Sequence, residues 1–227
     1  MKITIFGSCR QDSLYSYYDI THIKNNLTYP HYSKEVIETI EFCKGISTIP
    51  PILTKSIFRS GILSRSIMRP QQFTVEFMNT DLFVIEIASR LSYKYNGHYA
   101  HHILSEPQYG CTDISNIIIR DLTDKEIEED LLRIKELLHP KPFIIVGHIY
   151  TRTTGKRYEL VQLLKTLCYI NKIPFFDPVV ETAGSVPEEL YIKEDTLAHY
   201  SSYGHSIIGK KYCDFISLVL ATKNSSV

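Results

Sequence analysis

Lys2-Ile3-Thr4-Ile5-Phe6-Gly7-Ser8-Cys9 decides the architecture of this chain. Its β-branched and aromatic run carries no charge from Ile3 to Phe6 and stops at a glycine. That is the pattern of a short strand buried on both faces. The pattern recurs in Asp81-Leu82-Phe83-Val84-Ile85-Glu86-Ile87, in Pro142-Phe143-Ile144-Ile145-Val146-Gly147 and in Ile173-Pro174-Phe175-Phe176-Asp177-Pro178. Helical periodicity fills the intervals. After Ser33, the residues Val36, Ile37, Ile40 and Cys43 share one face, and Gly45 ends the pattern. Thr123-Asp124-Lys125-Glu126 reads as a capping box in front of Ile127, Leu131, Ile134 and Leu138. Tyr158 to Asn171 and Gly204 to Leu220 read as two further amphipathic helices. Strands alternating with helices predict a three-layer α/β/α sandwich around a parallel sheet. Such sheets hold their sites beyond the carboxyl ends of the strands. The residues to watch are therefore Gly7-Ser8-Cys9, Ala88-Ser89-Arg90 and Gly147-His148.

Length and composition narrow the function. The 227 residues suit one domain, 1–227, with an insertion or lid expected at 89–121, where Tyr, His, Gly and Asn replace any clear period. Asn96-Gly97 in that region reads as a turn. Lys and Arg number 25 against 25 Asp and Glu, so no basic field is available for nucleic acid. No apolar run reaches the roughly 20 residues of a membrane span, and the apolar run near Met1 is too short for a signal peptide. Five scattered cysteines without CxxC spacing argue against a disulfide framework and for a reducing, cytoplasmic compartment. The stretch from Ile46 to Phe77 has no readable period.

Two blocks carry chemistry. Gly7 permits a tight turn and close backbone approach by a substrate. A side chain after it stands at a helix start, where the dipole favours an anion; for Cys9 that implies a lowered thiol pKa. Ser8 would need a base, and it can also serve as a helix cap. At the other end, Asp195-Thr196-Leu197-Ala198-His199 offers a base and a carboxylate to orient it, with Glu194 and Asp177 as rivals for the orienting role. Arg59, Arg65 and Arg69 read either as an anion site or as a solvated helix face. His98, His101 and His102 read as a polar lid, and no metal site is expected.

Strand–Gly-x-nucleophile at one end, and Asp/His with a Gly five residues after the His (His199, Gly204) at the other, resemble the SGNH/GDSL hydrolase superfamily. Ile5-Phe6-Gly7-Ser8-Cys9-Arg10 is closest to its Gly-Ser-Cys subgroup, part of which is associated with capsule and polysaccharide biosynthesis. The sequence departs from the family in lacking the Gly-x-Asn-Asp block and in an Asp–His spacing one residue longer than usual. The resemblance implies acyl, chiefly acetyl, transfer or ester hydrolysis on a carbohydrate or small-molecule acceptor through a covalent acyl-enzyme. Cys9 or Ser8 would be the nucleophile, His199 the base and Asp195 its orienter. Arg90 takes the place of the family's oxyanion Asn, and Gly61 is offered for its second oxyanion glycine. Ser89 and Arg59 are grouped with Gly7 as substrate-binding residues. No cofactor is expected to be bound; acyl-CoA suits a thiol nucleophile as donor. The alternative is a catalytically silent module that uses the same cleft to hold a glycan or acyl carrier.

Overall fold

The computed structural model describes residues 1–109, 114–183, 185, 187–192 and 199–224. Eight strands are present among them: β1 (Lys2–Phe6), β2 (Asp19–Ile20), β3 (Leu82–Ile87), β4 (Leu91–Tyr95), β5 (His98–Tyr99), β6 (Ile117–Asp121), β7 (Phe143–Gly147) and β8 (Phe175–Phe176). Five form a parallel sheet in the order β2-β1-β3-β7-β8. The chain leaves β1 toward β2 on one side and returns through β3 on the other. The β1–β3 seam is thus the switch point where open α/β sheets form a crevice.

Side chains of the central strands alternate between two cores. Phe83, Ile85 and Ile87 pack with Val36, Ile40, Leu131, Ile134 and Leu164. Those partners lie on the helices Ser33–Cys43, Asp124–Leu138 and Lys156–Ile170. Leu82, Val84, Ile3 and Ile5 pack on the opposite face with Leu14, Ile208, Tyr212 and Ile216. The last three belong to the helix Ser202–Asn224. Helices thus cover both faces, as the alternation of elements predicts.

The capping box at Thr123 forms reciprocally with Glu126. The expected helix after Gly7-Ser8 is a 3-10 helix, Cys9–Ser16, with Ser8 at its N-cap. The unreadable stretch after Ile46 holds four short elements: Pro51–Leu53, Thr54–Ile57, Arg59–Ser64 and Gln71–Met78. Each is too short to display a period. The region after Ser89 builds a second, antiparallel sheet, β5-β4-β6. Tyr95 pairs with His98 across Asn96-Gly97, both at positive φ (49° and 87°), the conformation a two-residue hairpin turn demands. Among the described residues, no helix is long and apolar enough to cross a membrane.

Candidate active site

A cavity of about 600 Å³ opens beyond the carboxyl ends of β1, β3 and β7. Ser8, Cys9 and Arg10 enter it from the turn after β1, and Ala88, Ser89 and Arg90 from the turn after β3. His148 comes from the residue after β7, and His199 from the C-terminal loop. Antiparallel pairing holds His199 in place: Tyr191 bridges Tyr200, and the His199 carbonyl accepts from Ile192 N–H at 2.9 Å. Gly204, in the first turn of the last helix, is required by packing. A Cβ there would lie 2.0 Å from the Leu190 carbonyl oxygen.

The base of the cavity is an ion pair that sequence reading missed. Glu86 is the one charge in the six-residue strand Leu82–Ile87 and is 1% exposed. Its Oε1 accepts from Arg10 Nε at 2.7 Å. Its Oε2 accepts from the Ser8 hydroxyl at 2.6 Å and the Ser8 N–H at 2.9 Å. Burial alone would raise the Glu86 pKa. The Arg10 guanidinium, then His148 and the hydrogen bonds from Ser8 and Arg10, hold it well below the usual carboxylate range. Gly7 is explained by the same contact: a Cβ on it would sit 2.9 Å from Glu86 Cβ and 2.8 Å from Gln11 Oε1. The close approach that Gly7 permits is therefore by Glu86, not by a substrate. A lone acid in an otherwise apolar buried strand, with an Arg beside the Gly-Ser-Cys turn, was the available signal.

Two buried imidazoles flank this pair. His148 is pushed down to about 4, first by burial and then by Arg10. Its Nδ1–H donates to the Ile149 carbonyl at 2.7 Å, which leaves Nε2 with the lone pair. His31 is pushed down to about 3 by burial and by His102. Its backbone is pinned from both sides. Its carbonyl accepts from the N–H groups of Ala88 (2.8 Å) and Ser89 (3.0 Å), and its N–H donates to Glu35 at 2.8 Å. Glu35 is buried, and burial pushes its carboxyl up to about 8.

Cys9 is half-buried, and burial raises its thiol pKa, more than Arg10 lowers it. This reverses the direction expected of a helix start: the dipole of the short 3-10 helix does not offset desolvation. Ser8 is buried, and its hydroxyl is committed to Glu86. Arg90 pairs with Asp124 at the rim, and Ser89 Oγ accepts from Leu91 N–H at 2.9 Å.

The other expected site residues lie elsewhere. Gly61 packs against the Thr54 carbonyl, where a Cβ would meet oxygen at 2.4 Å, and does not line the cavity. Its smallness serves the crossing of two short helices rather than an oxyanion. Arg59 stacks on the Tyr29 ring, 4.5 Å from its centroid; Tyr29 lines the cavity but Arg59 does not. Arg65 and Arg69 are likewise outside it. Asp177 caps the short helix Pro178–Glu181 through the Val179 and Val180 N–H groups, so its carboxylate is already in use. Asp195 lies outside the described residues, as does Glu194.

The fold and this cavity define a parallel α/β protein with a Gly-Ser-Cys turn at its switch point. Residues 1–109 match the TviD N-terminal domain family. The matched segment contains Ser8, Cys9, Arg10, His31, Glu86 and Arg90 but ends before His148 and His199. Curated proteins yield no match. A solved variant of an acetyl-xylooligosaccharide esterase from Geobacillus aligns over 95% of this chain and 93% of that one, at 13% identity and a TM-score of 0.39.

Proposed function

We propose that this protein is an acyltransferase or esterase, acting on a carbohydrate through a covalent intermediate on Cys9. One observation carries the reading: Cys9 and His199, 190 positions apart in sequence, line a single cavity at the sheet's switch point. Cys9 is favoured over Ser8 because the Ser8 hydroxyl already donates to a buried carboxylate, whereas the thiol stands half-exposed in the cavity. Since burial keeps the thiol protonated, attack requires a base. His199 fills that role, with Asp195 as its orienter.

In the first step the Cys9 sulfur attacks the acyl carbonyl while His199 takes the thiol proton. The Cys9 N–H meets the developing oxyanion. Collapse breaks the bond to the donor's thiol or alcohol, which leaves with the proton from His199. In the second step a sugar hydroxyl or water gives its proton to His199, attacks the acyl-thioester and regenerates the thiol. A thioester donor such as acetyl-CoA makes the first exchange nearly thermoneutral.

Incubation with acetyl-CoA should add one acetyl group by intact mass, mapped to Cys9. The adduct should be absent from Cys9→Ala and slowed at least about 100-fold in His199→Ala. Full transfer by Cys9→Ala sinks the reading. The raised Cys9 thiol favours a second reading, a silent module that holds a glycan or acyl carrier. Iodoacetamide separates the two: an enzyme labels at Cys9 faster than at Cys213, a binding module does not.

A further inference from the structure

Beside the Cys9 turn, the cavity wall carries three imidazoles that the proposed reaction does not use. His31 and His102 line the cavity, and His101 stands behind them. One ligand atom from each lies within 4.8 Å of the other two. The rings meet edge to face or tilted, with centroids 5.1 Å (His31–His101), 4.5 Å (His31–His102) and 4.4 Å (His101–His102) apart. His31 Nδ1 and His101 Nε2 are both buried and without a hydrogen-bond partner. Buried ring nitrogens without partners are uncommon and call for an explanation.

We infer that His31, His101 and His102 form a binding site for a divalent transition-metal ion of the zinc class at the edge of the cavity. Three imidazoles and no thiolate suit Zn²⁺, Co²⁺ or Ni²⁺ rather than Mg²⁺ or Ca²⁺. Tetrahedral Zn–N bonds of about 2.1 Å place ligand nitrogens about 3.4 Å apart, so from a separation of up to 4.8 Å the rings close by about 1.4 Å at most. His102 is the ring free to move, being a third exposed.

The outer contacts fit the assignment. Metal on His102 Nδ1 leaves the proton on Nε2, 3.6 Å from the Glu106 carboxylate, the carboxylate–histidine pairing that commonly backs metal ligands. Metal on His101 Nε2 moves that ring's proton to Nδ1. It displaces a long contact from Ile103 N–H (3.3 Å), and the Tyr29 backbone is already a hydrogen-bond partner of this ring. The His31 backbone is fixed by Ala88, Ser89 and Glu35, so its ring is set in advance. The sequence grouping of His98 with His101 and His102 is replaced. His98 faces Glu38 at 3.6 Å, and His31 takes its place through the fold. With three protein nitrogens, a fourth position remains for water or an oxygen of whatever occupies the cavity.

The test uses untagged full-length protein, stripped with a chelator and titrated with Co²⁺ and Zn²⁺. One Co²⁺ per chain should bind with the intense visible absorption of a four-coordinate nitrogen site, and Zn²⁺ should displace it. His102→Ala, the least buried ligand change, should weaken Zn²⁺ binding at least tenfold and abolish the band. His98→Ala should alter neither. Circular dichroism identifies any variant that fails to fold, and His102→Gln then replaces it. Absence of a band, or equal affinity in wild type and His102→Ala, overturns the site and shows an imidazole cluster held by ring packing alone. Because the readout is spectroscopic, it stands or falls independently of acyl transfer.

Discussion

The base of the cavity and its rim both carry ion pairs, yet they obey different electrostatics. At the base, Arg10 and Glu86 are 8% and 1% exposed in their side chains. At the rim, Lys156 and Asp121, 3.0 Å apart, are 79% and 44% exposed. A buried pair has already surrendered its hydration, so deleting one partner strands the other. An exposed pair loses little because water replaces the missing partner. The base is therefore a structural foundation for the Gly-Ser-Cys turn, and the rim is a surface free to vary with the ligand.

The largest expected effect follows from that foundation. Glu86→Ala should cost about 3–5 kcal/mol of unfolding free energy by urea titration, since the buried Arg10 guanidinium loses the carboxylate it donates to. Arg10→Met should cost a similar amount. The double variant Arg10→Met/Glu86→Met should cost less than the sum, because neither charge is then stranded. Ser8→Ala, which removes the hydroxyl's hydrogen bond to the carboxylate and its cap contact with Arg10 N–H, should cost roughly 1.5–3 kcal/mol. Additive losses in the double variant would break the comparison, since the two residues would then be independent.

These contacts also mark what sequence could disclose. β1, β3 and β7 were legible because strands buried on both faces are nearly continuous runs of apolar residues. β2, two residues long, offers no pattern, and its existence depends on the free edge of β1. The cavity residues Ser8, Cys9, Ser89, Arg90 and His199 could be proposed because each follows a strand or stands in a motif. His31 could not, because the hydrogen bonds that tie it to the turn after β3 come from Ala88 and Ser89, more than fifty positions away. Glu86 was visible as an oddity in its strand, but its meaning depends on Arg10, and a pair 76 positions apart has no local signature. Gly61 misled because a glycine marks close approach without saying of what.

A pH titration sharpens the comparison at the next level of magnitude. His148 titrates near 6.5 when unfolded and is pushed down to about 4 in the fold, by burial and by Arg10. A histidine with a lowered folded pKa stabilises the native state above its unfolded value. That contribution is lost as pH falls from about 6.5 toward about 4. Unfolding free energy should therefore drop across that window. His148→Gln should flatten the drop by up to about 1.4 kcal/mol per pH unit, the slope of one linked proton. His31 contributes in the same direction, so some slope should remain. An unchanged slope in His148→Gln would mean that the imidazole is hydrated in solution, and that the cavity base is wetter than the contacts indicate.

The rim should yield the smallest change and the most selective one. Lys156 opens the helix Lys156–Ile170, and its ammonium meets Asp121 at the end of β6, joining the antiparallel sheet to the main body. Lys156→Met should shift stability by less than about 1 kcal/mol, and 0.5 M salt should remove most of that shift. Both residues line the cavity, so the same substitution should alter the apparent affinity for an anionic donor such as acetyl-CoA more than it alters folding. A stability loss as large as that of Ser8→Ala would show that the rim is mechanically coupled to the base. An unchanged donor affinity would place the donor's charged portion away from β6, toward Arg90 and the turn after β3.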